Sequence, residues 1–305
     1  MYPTSKPKLS PSFIPKQTPA KLSYYDTTKQ ASAKPSYHNV AKQTSIETLS
    51  SNQTAVYYNV TTKTFWPSNP IRSITPSYTT KAFEEPVALT SPQRLLVILD
   101  LNGTLFYRAE RNNRAITQRP HLKQFLDYLF QNCQVMVWSS SQEHSVERML
   151  SHGFGSYVTK LDRIWNRSHF RLPKVDFDRK TLTLKDLEFV WEAIKKDKSQ
   201  SIKFDQTNTV LIDDSKDKIM LQRYNGLTLK DFDHAAVQAG NDNELLKVVK
   251  YLEKLVMQKN VSAYMRLHPF DLEEKAVAKA LNSGKKGTLD DSIDKLARQL
   301  GNSTL

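Results

Sequence analysis

The chain has 305 residues, a net charge of +13 and 39% hydrophobic residues, enough apolar material for a sizeable core. Its longest core-type apolar run, Leu95-Leu96-Val97-Ile98-Leu99, falls far short of the roughly 20 residues of a membrane-spanning helix. The basic balance favours acidic partners such as phosphoproteins, and the single cysteine, Cys133, excludes an internal disulfide and fits a reducing compartment.

Residues 1–92 differ from the rest. Eleven of the fourteen prolines fall there, with ten Lys or Arg against four Asp or Glu, and neither helical nor strand periodicity is sustained. Such a stretch cannot bury enough apolar surface to offset the entropy of ordering it. It is expected to be a disordered basic tail, rich in Ser, Thr, Pro and Lys, serving as a linker or tether. The opening MYPTSKPKLS has no apolar segment of a secretory signal, and its prolines interrupt any amphipathic targeting helix. Tyr24, Tyr25, Tyr37, Tyr57 and Tyr58 lie among lysines, a composition that suits single-stranded nucleic acid. No recognisable RNA-binding module accompanies them, so nucleic acid is not an expected partner.

Beyond Pro92 the pattern becomes that of a folded domain. Arg94–Leu99 reads as a continuous apolar strand of a buried parallel sheet. In residues 121–131, Leu122, Phe125, Leu126, Leu129 and Phe130 share one helical face, and Pro120 suits the first helical turn. Cys133–Trp138 is a second strand, and residues 142–150 a helix. Leu187, Val190, Trp191 and Ile194 mark another helical stripe. Thr209–Ile212 is a third strand and Leu227–Leu229 a fourth. Residues 242–259 form a periodic helix through Leu245, Leu246, Val249, Leu252, Leu255 and Val256. Strands alternating with helices predict a parallel α/β sheet with flanking helices over residues 93–260. Residues 261–305 are expected to be a C-terminal helical extension, whose charged part, 271–305, is split by Ser283-Gly284-Lys285-Lys286-Gly287.

The chemistry lies at the strand ends. In LLVILDLNGTL, residues 95–105, the first strand ends at Asp100 and Asn102-Gly103-Thr104 makes a turn. The second strand ends in Ser139-Ser140-Ser141 and the third in Asp213-Asp214-Ser215, while Lys185 precedes a helix. Alone, each has a plain structural role: a turn or N-cap for the aspartate, an N-cap for the serines, a solvated charge for the lysine. Together, at the carboxyl ends of parallel strands where ligands bind in open α/β sheets, they outline one crevice.

DLNGT resembles the DxDxT signature of haloacid-dehalogenase phosphatases, in the branch of the RNA polymerase II C-terminal-domain phosphatases and the NLI-interacting-factor-like phosphatases. Arg119-Pro120, Trp138-Ser139-Ser140-Ser141, Lys185-Asp186-Leu187, Leu211-Ile212-Asp213-Asp214-Ser215 and Tyr224-Asn225-Gly226 resemble the branch's further motifs, in order. The resemblance covers about residues 93–260 and implies a haloacid-dehalogenase-like Rossmannoid fold. It implies a Mg²⁺-dependent protein phosphatase acting on phosphoserine, phosphothreonine or phosphotyrosine. Asp100 would attack phosphorus to give an aspartyl-phosphate. Ser139 and Lys185 would hold the phosphoryl group, and Thr104 would support the turn. Mg²⁺ would bind the Asp100 carboxylate, the Asn102 carbonyl and Asp213, with Asp214 acting directly or through water.

One position departs from the family: Asn102 stands where catalytic members carry the Asp that protonates the leaving group. General acid–base catalysis is worth ~10²–10⁴-fold, so slow turnover is expected. The alternative is a catalytically silent interaction protein on the same scaffold, like the receptor subunit of the mitochondrial inner-membrane presequence translocase. That receptor carries a transmembrane helix and degraded motifs, whereas here the motifs are kept apart from Asn102. The nucleus or cytoplasm is therefore expected ahead of the mitochondrion, with a phosphoprotein or acidic protein as partner.

Overall fold

The computed structural model describes residues 44–47, 56–59, 64–109 and 115–270. Strands β1 (Thr44–Glu47), β2 (Val56–Asn59) and β3 (Thr64–Phe65) form a small antiparallel sheet in that order, followed by helix α1 (Pro76–Ala82). Then come β4 (Leu96–Leu99), β5 (Phe106–Arg108), β6 (Ile116–Gln118), α2 (Leu122–Asn132), β7 (Gln134–Trp138), α3 (Glu143–Gly153) and β8 (Arg163–Trp165). The chain continues through α4 (Lys174–Phe177), α5 (Leu187–Lys196), β9 (Thr209–Asp213), β10 (Gly226–Thr228), α6 (His234–Ala239), α7 (Glu244–Leu255) and α8 (Val261–Leu267).

Five strands make the central sheet, in the order β10-β9-β4-β7-β8, and every pairing is parallel. All four residues of β4 are buried because side chains alternate between two covered faces. Leu95, Val97 and Leu99 join the core cluster that includes Phe125, Leu129, Met149, Leu245 and Leu252. Leu96 and Ile98 face the other way, into a cluster with Trp138, Leu187, Val190 and Ile194. Each such side chain contributes about 1.5–3 kcal/mol on full burial, so the sheet carries the fold and β4 is its centre. From β4 the chain winds outward to β7 and β8, then returns to β9 on β4's other side and winds outward to β10. The winding direction therefore reverses between β4 and β7 on one side and β9 on the other, the switch point at which open α/β sheets place their crevice.

The predicted sheet and its helices are observed, with smaller differences. α2 starts at Leu122, because His121 adopts a left-handed φ of 64° that separates Pro120 from the helix. Strand β8 and the β5–β6 hairpin add to the predicted strands; β8 is only three residues long. The segment between Lys185 and Asp213 supplies α5, whose Leu187, Val190 and Ile194 are buried against the sheet.

Both expected domain borders move outward. Within the expected tail, residues 64–92 pack on the domain: Tyr78 is 2% exposed and Ala82 fully buried. Thr75 caps α1 by accepting from the Tyr78 amide (3.3 Å), with Pro76 in the first turn. Phe65 and Leu182 exchange backbone contacts around residue 180 (Phe65 N to Lys180 O 2.9 Å, Leu182 N to Phe65 O 2.8 Å). The tail reading missed this belt because capping and backbone hydrogen bonds, which leave no hydrophobic period, hold it. At the other end, α8 is part of the core through Val261, Ala263 and Met265, rather than an extension. The rest of the expected tail up to residue 63, apart from β1 and β2, and the charged helices expected over 271–305 lie outside the described residues.

Candidate active site

The site is assembled by strand ends and by one short loop that folds back. Asp100 follows β4, and its amide donates to the Ile212 carbonyl of β9 (2.9 Å), setting the ends of the two strands level. Asp213 closes β9. Both carboxylates are essentially fully buried, as is Lys185. Lys185 Nζ donates to Asp100 Oδ1 at 2.9 Å and to Asp213 Oδ2 at 2.5 Å. The lysine is itself held in place: its amide donates to the Lys218 carbonyl (2.8 Å), and Asp186 caps α5 by accepting from the Glu188 amide (3.1 Å). Gln222 adds two more ties, accepting from the Leu187 amide and donating to Asp186 (2.9 and 3.0 Å).

The loop after β9 brings a second ammonium. Lys218 Nζ lies 3.1 Å from Asp213 Oδ1, 3.3 Å from Asp214 Oδ1 and 3.8 Å from Asp100 Oδ2. One oxygen from each of Asp100, Asp213 and Asp214 lies within 4.8 Å of the others, a spacing suited to a shared cation. Burial works against charge on Asp213, but Lys185, Lys218 and the Ser215 amide outweigh it and hold the carboxyl well below the usual range. Asp214 goes the other way. Burial, with Asp100 and Asp213 adding and Lys218 opposing, pushes it up to about 7. Burial also disfavours the Lys218 ammonium, yet the three carboxylates raise its pKa well above the ordinary value.

The turn after Asp100 is tied on two sides. Thr104 Oγ1 donates to Asp214 Oδ1 (3.2 Å) and reaches Asp100 Oδ2 at 3.5 Å. The Thr104 carbonyl accepts from Arg119 Nη1 (2.9 Å), and Arg119 also donates to the Lys230 carbonyl and holds Asp242 through Nε and Nη2 at 2.8–3.1 Å. Arg119 therefore clamps the turn, the end of the sheet and the start of α7 together. Gly103 is required here. Its φ is 86°, and a Cβ would stand 2.9 Å from Asp214 Oδ2 and 2.8 Å from Asp231 Oδ1.

Asp100, Thr104, Lys185, Asp213 and Asp214, all singled out in the sequence, thus meet in one network. Ser139 is buried at the end of β7, where its hydroxyl accepts from the Ser141 amide (3.3 Å). Asn102 lies on the turn, but its side chain faces Arg108, whose Nε donates to Asn102 Oδ1 at 3.1 Å. Sequence reasoning missed Lys218, Arg108 and Asp242. In Asp214-Ser215-Lys216-Asp217-Lys218 two lysines follow the aspartates, and only the loop's path decides which returns. Arg108 is brought to Asn102 by the β5–β6 hairpin, which residue spacing does not reveal. Lys218 and Ser215 also border a cleft of about 200 Å³, with Ser140, Arg167, Lys180, Thr183 and Asp217.

Residues 95–262 match the family model described as NLI interacting factor-like phosphatase. An FCP1 homology domain-containing protein of Schizosaccharomyces pombe is 40% identical over 193 residues, 59% of this chain and 78% of that protein. Ubiquitin-like domain-containing CTD phosphatase 1 of Drosophila melanogaster is 25% identical over 162 residues, 52% of this chain and 48% of the relative. The chain thus spans about half the length of that CTD phosphatase. The solved structure of Fcp1, an essential RNA polymerase II CTD phosphatase, aligns at 15% identity and a TM-score of 0.35, covering 68% of this chain and 62% of that one.

Proposed function

The chain belongs to the NLI interacting factor-like phosphatase family, and from that premise we propose that it is a phosphoprotein phosphatase using Asp100 as nucleophile. One observation carries the reading: Asp100 and Asp213 converge, buried and both bonded by Lys185, at the switch point of the sheet. A carboxylate there is shielded from water and oriented by Lys185.

An Asp100 carboxylate oxygen attacks phosphorus, forming the Oδ–P bond of an aspartyl-phosphate as the bond from phosphorus to the serine, threonine or tyrosine oxygen breaks. The leaving oxygen keeps the electron pair and takes a proton from solvent, to which the water of the second step returns one. Water then attacks phosphorus, the Oδ–P bond breaks, and Asp100 is restored as inorganic phosphate leaves. Lys185 and the Ser139 hydroxyl hold the phosphoryl oxygens. Asp100, Asp213 and Asp214, with the Asn102 carbonyl, would hold Mg²⁺; this all-oxygen, carboxylate-rich donor set fits a hard cation. A bound Mg²⁺ neutralises charge on the transferring phosphoryl group.

Asn102 sets the rate. Its amide cannot give the leaving oxygen a proton, so phenolic leaving groups, which need one least, should be the best substrates. The chain's +13 charge adds attraction for acidic phosphorylated segments.

Steady-state rates on para-nitrophenyl phosphate and on phosphopeptides, with and without Mg²⁺, test the reading. Mg²⁺-dependent turnover in the wild type that falls by ~10³-fold or more in Asp100→Asn is expected for loss of a nucleophile. Equal rates in the two proteins would refute it.

A further inference from the structure

Lys218 occupies an unusual place. Its ammonium is hydrogen-bonded to Asp213 and Asp214, at 3.1 and 3.3 Å, and lies 3.8 Å from Asp100, and these are the same three groups whose oxygens cluster within 4.8 Å. We propose that Lys218 is a tethered cation that competes with a divalent ion for Asp100, Asp213 and Asp214: it rests among them when no metal is bound and swings toward the cleft when one is. This rests on the Mg²⁺ site proposed above and adds a built-in competitor to it.

Charge balance supports the idea. With all three carboxylates ionised, the state a divalent cation would favour, Lys185 alone leaves two negative charges, which that cation would match. With Lys218 also in place only one negative charge remains. A divalent ion entering beside that ammonium would meet like charge at short range while sharing its oxygen partners.

The two lysines differ in freedom. Lys185 is fully buried between Asp100 and Asp213 and has no comparable way out. Lys218 keeps 16% of its side chain exposed and borders the cleft with Ser140, Thr183 and Ser215. Its main chain is fixed by the Lys185 amide (2.8 Å), so the flexible four-carbon stem can pivot about a held anchor. Withdrawal would carry the ammonium into a cleft that Asp217 borders together with Arg167 and Lys180.

The test titrates MgCl₂ into the full chain and into Lys218→Met, following heat by calorimetry. Mg²⁺ should bind Lys218→Met tighter than wild type on the order of tenfold or more. Equal or weaker binding by the variant overturns the competition while leaving the metal site standing; no binding by either protein overturns both. If Lys218→Met folds only in Mg²⁺ while the wild type folds without it, that too supports the proposal.

A second measurement needs no variant. Amine-directed acetylation of the wild type, read peptide by peptide by mass spectrometry, should label Lys218 several-fold faster once Mg²⁺ is bound. Unchanged labelling at saturating Mg²⁺ would show that the ammonium does not move, and the proposal would fall.

Discussion

Two buried ion clusters flank the turn after β4, and Thr104 touches both. Its hydroxyl donates to Asp214 in the carboxylate cluster, and its carbonyl accepts from Arg119 in the clamp. In the clamp, one guanidinium meets one carboxylate through a forked contact, with two backbone carbonyls taking its remaining bonds. Charge there is balanced. In the other cluster three carboxylates face two ammonium groups. A buried pair that is balanced and fully bonded holds a structure in register; one left with excess charge is primed to take up something else. The clamp is read as structural and the carboxylate cluster as functional.

The largest expected effect comes from unbalancing the clamp. Arg119→Met leaves Asp242, whose side chain is 8% exposed, with only the Glu244 amide as partner and leaves two carbonyls without donors, and should cost about 3 kcal/mol in chemical denaturation. A loss no larger than that of a typical surface substitution would remove the clamp from the account.

A smaller change probes the turn between the clusters. A carboxylate at position 102 would supply the proton donor that the proposed mechanism lacks, but Arg108 already donates to that position. A carboxylate paired with Arg108 would stay ionised and protonate a leaving group poorly. Asn102→Asp alone is therefore expected to raise the aryl phosphatase rate little, whereas Asn102→Asp with Arg108→Gln should raise it by about 10²-fold, equivalent to about 2.7 kcal/mol. A full gain from the single substitution would show that Arg108 does not restrain the site.

The smallest effect is a pH dependence confined to the clamp. Burial alone would raise the Asp242 pKa, but Arg119 and the Glu244 amide outweigh it and hold the carboxyl below its ordinary range. A depressed folded pKa stabilises the fold above the unfolded value of about 3.9, and that contribution is lost as pH falls through the lower folded value. Unfolding free energies measured from pH 6 downward should fall less steeply in Asp242→Asn than in the wild type. Parallel slopes would contradict the assignment.

The clusters also differ in how far the sequence discloses them. Asp100 and Asp213 are legible because each ends an apolar run, and the strand pattern alone puts both at one sheet edge. Arg119 is visible through its Arg-Pro motif, but its partner is not, because Asp242 lies 123 residues away at the start of α7. Lys218 is hidden for a different reason. It follows the aspartates by a few residues in an irregular loop, where no period assigns a direction to a side chain. The belt of residues 64–92 escapes because a seven-residue helix amid prolines makes no amphipathic stripe, although Tyr78 and Ala82 are buried as deeply as the core.

The contrast between the clusters is tested most directly by the melting temperature with and without Mg²⁺ in the wild type, Asp213→Asn and Asp242→Asn. A ligand that binds only the folded protein raises its melting temperature. Mg²⁺ is predicted to raise it in the wild type and in Asp242→Asn, even though the latter starts from a less stable fold, and to leave Asp213→Asn unmoved. An equal rise in Asp213→Asn would contradict the account, because the metal would then be held somewhere other than the carboxylates at the ends of β4 and β9.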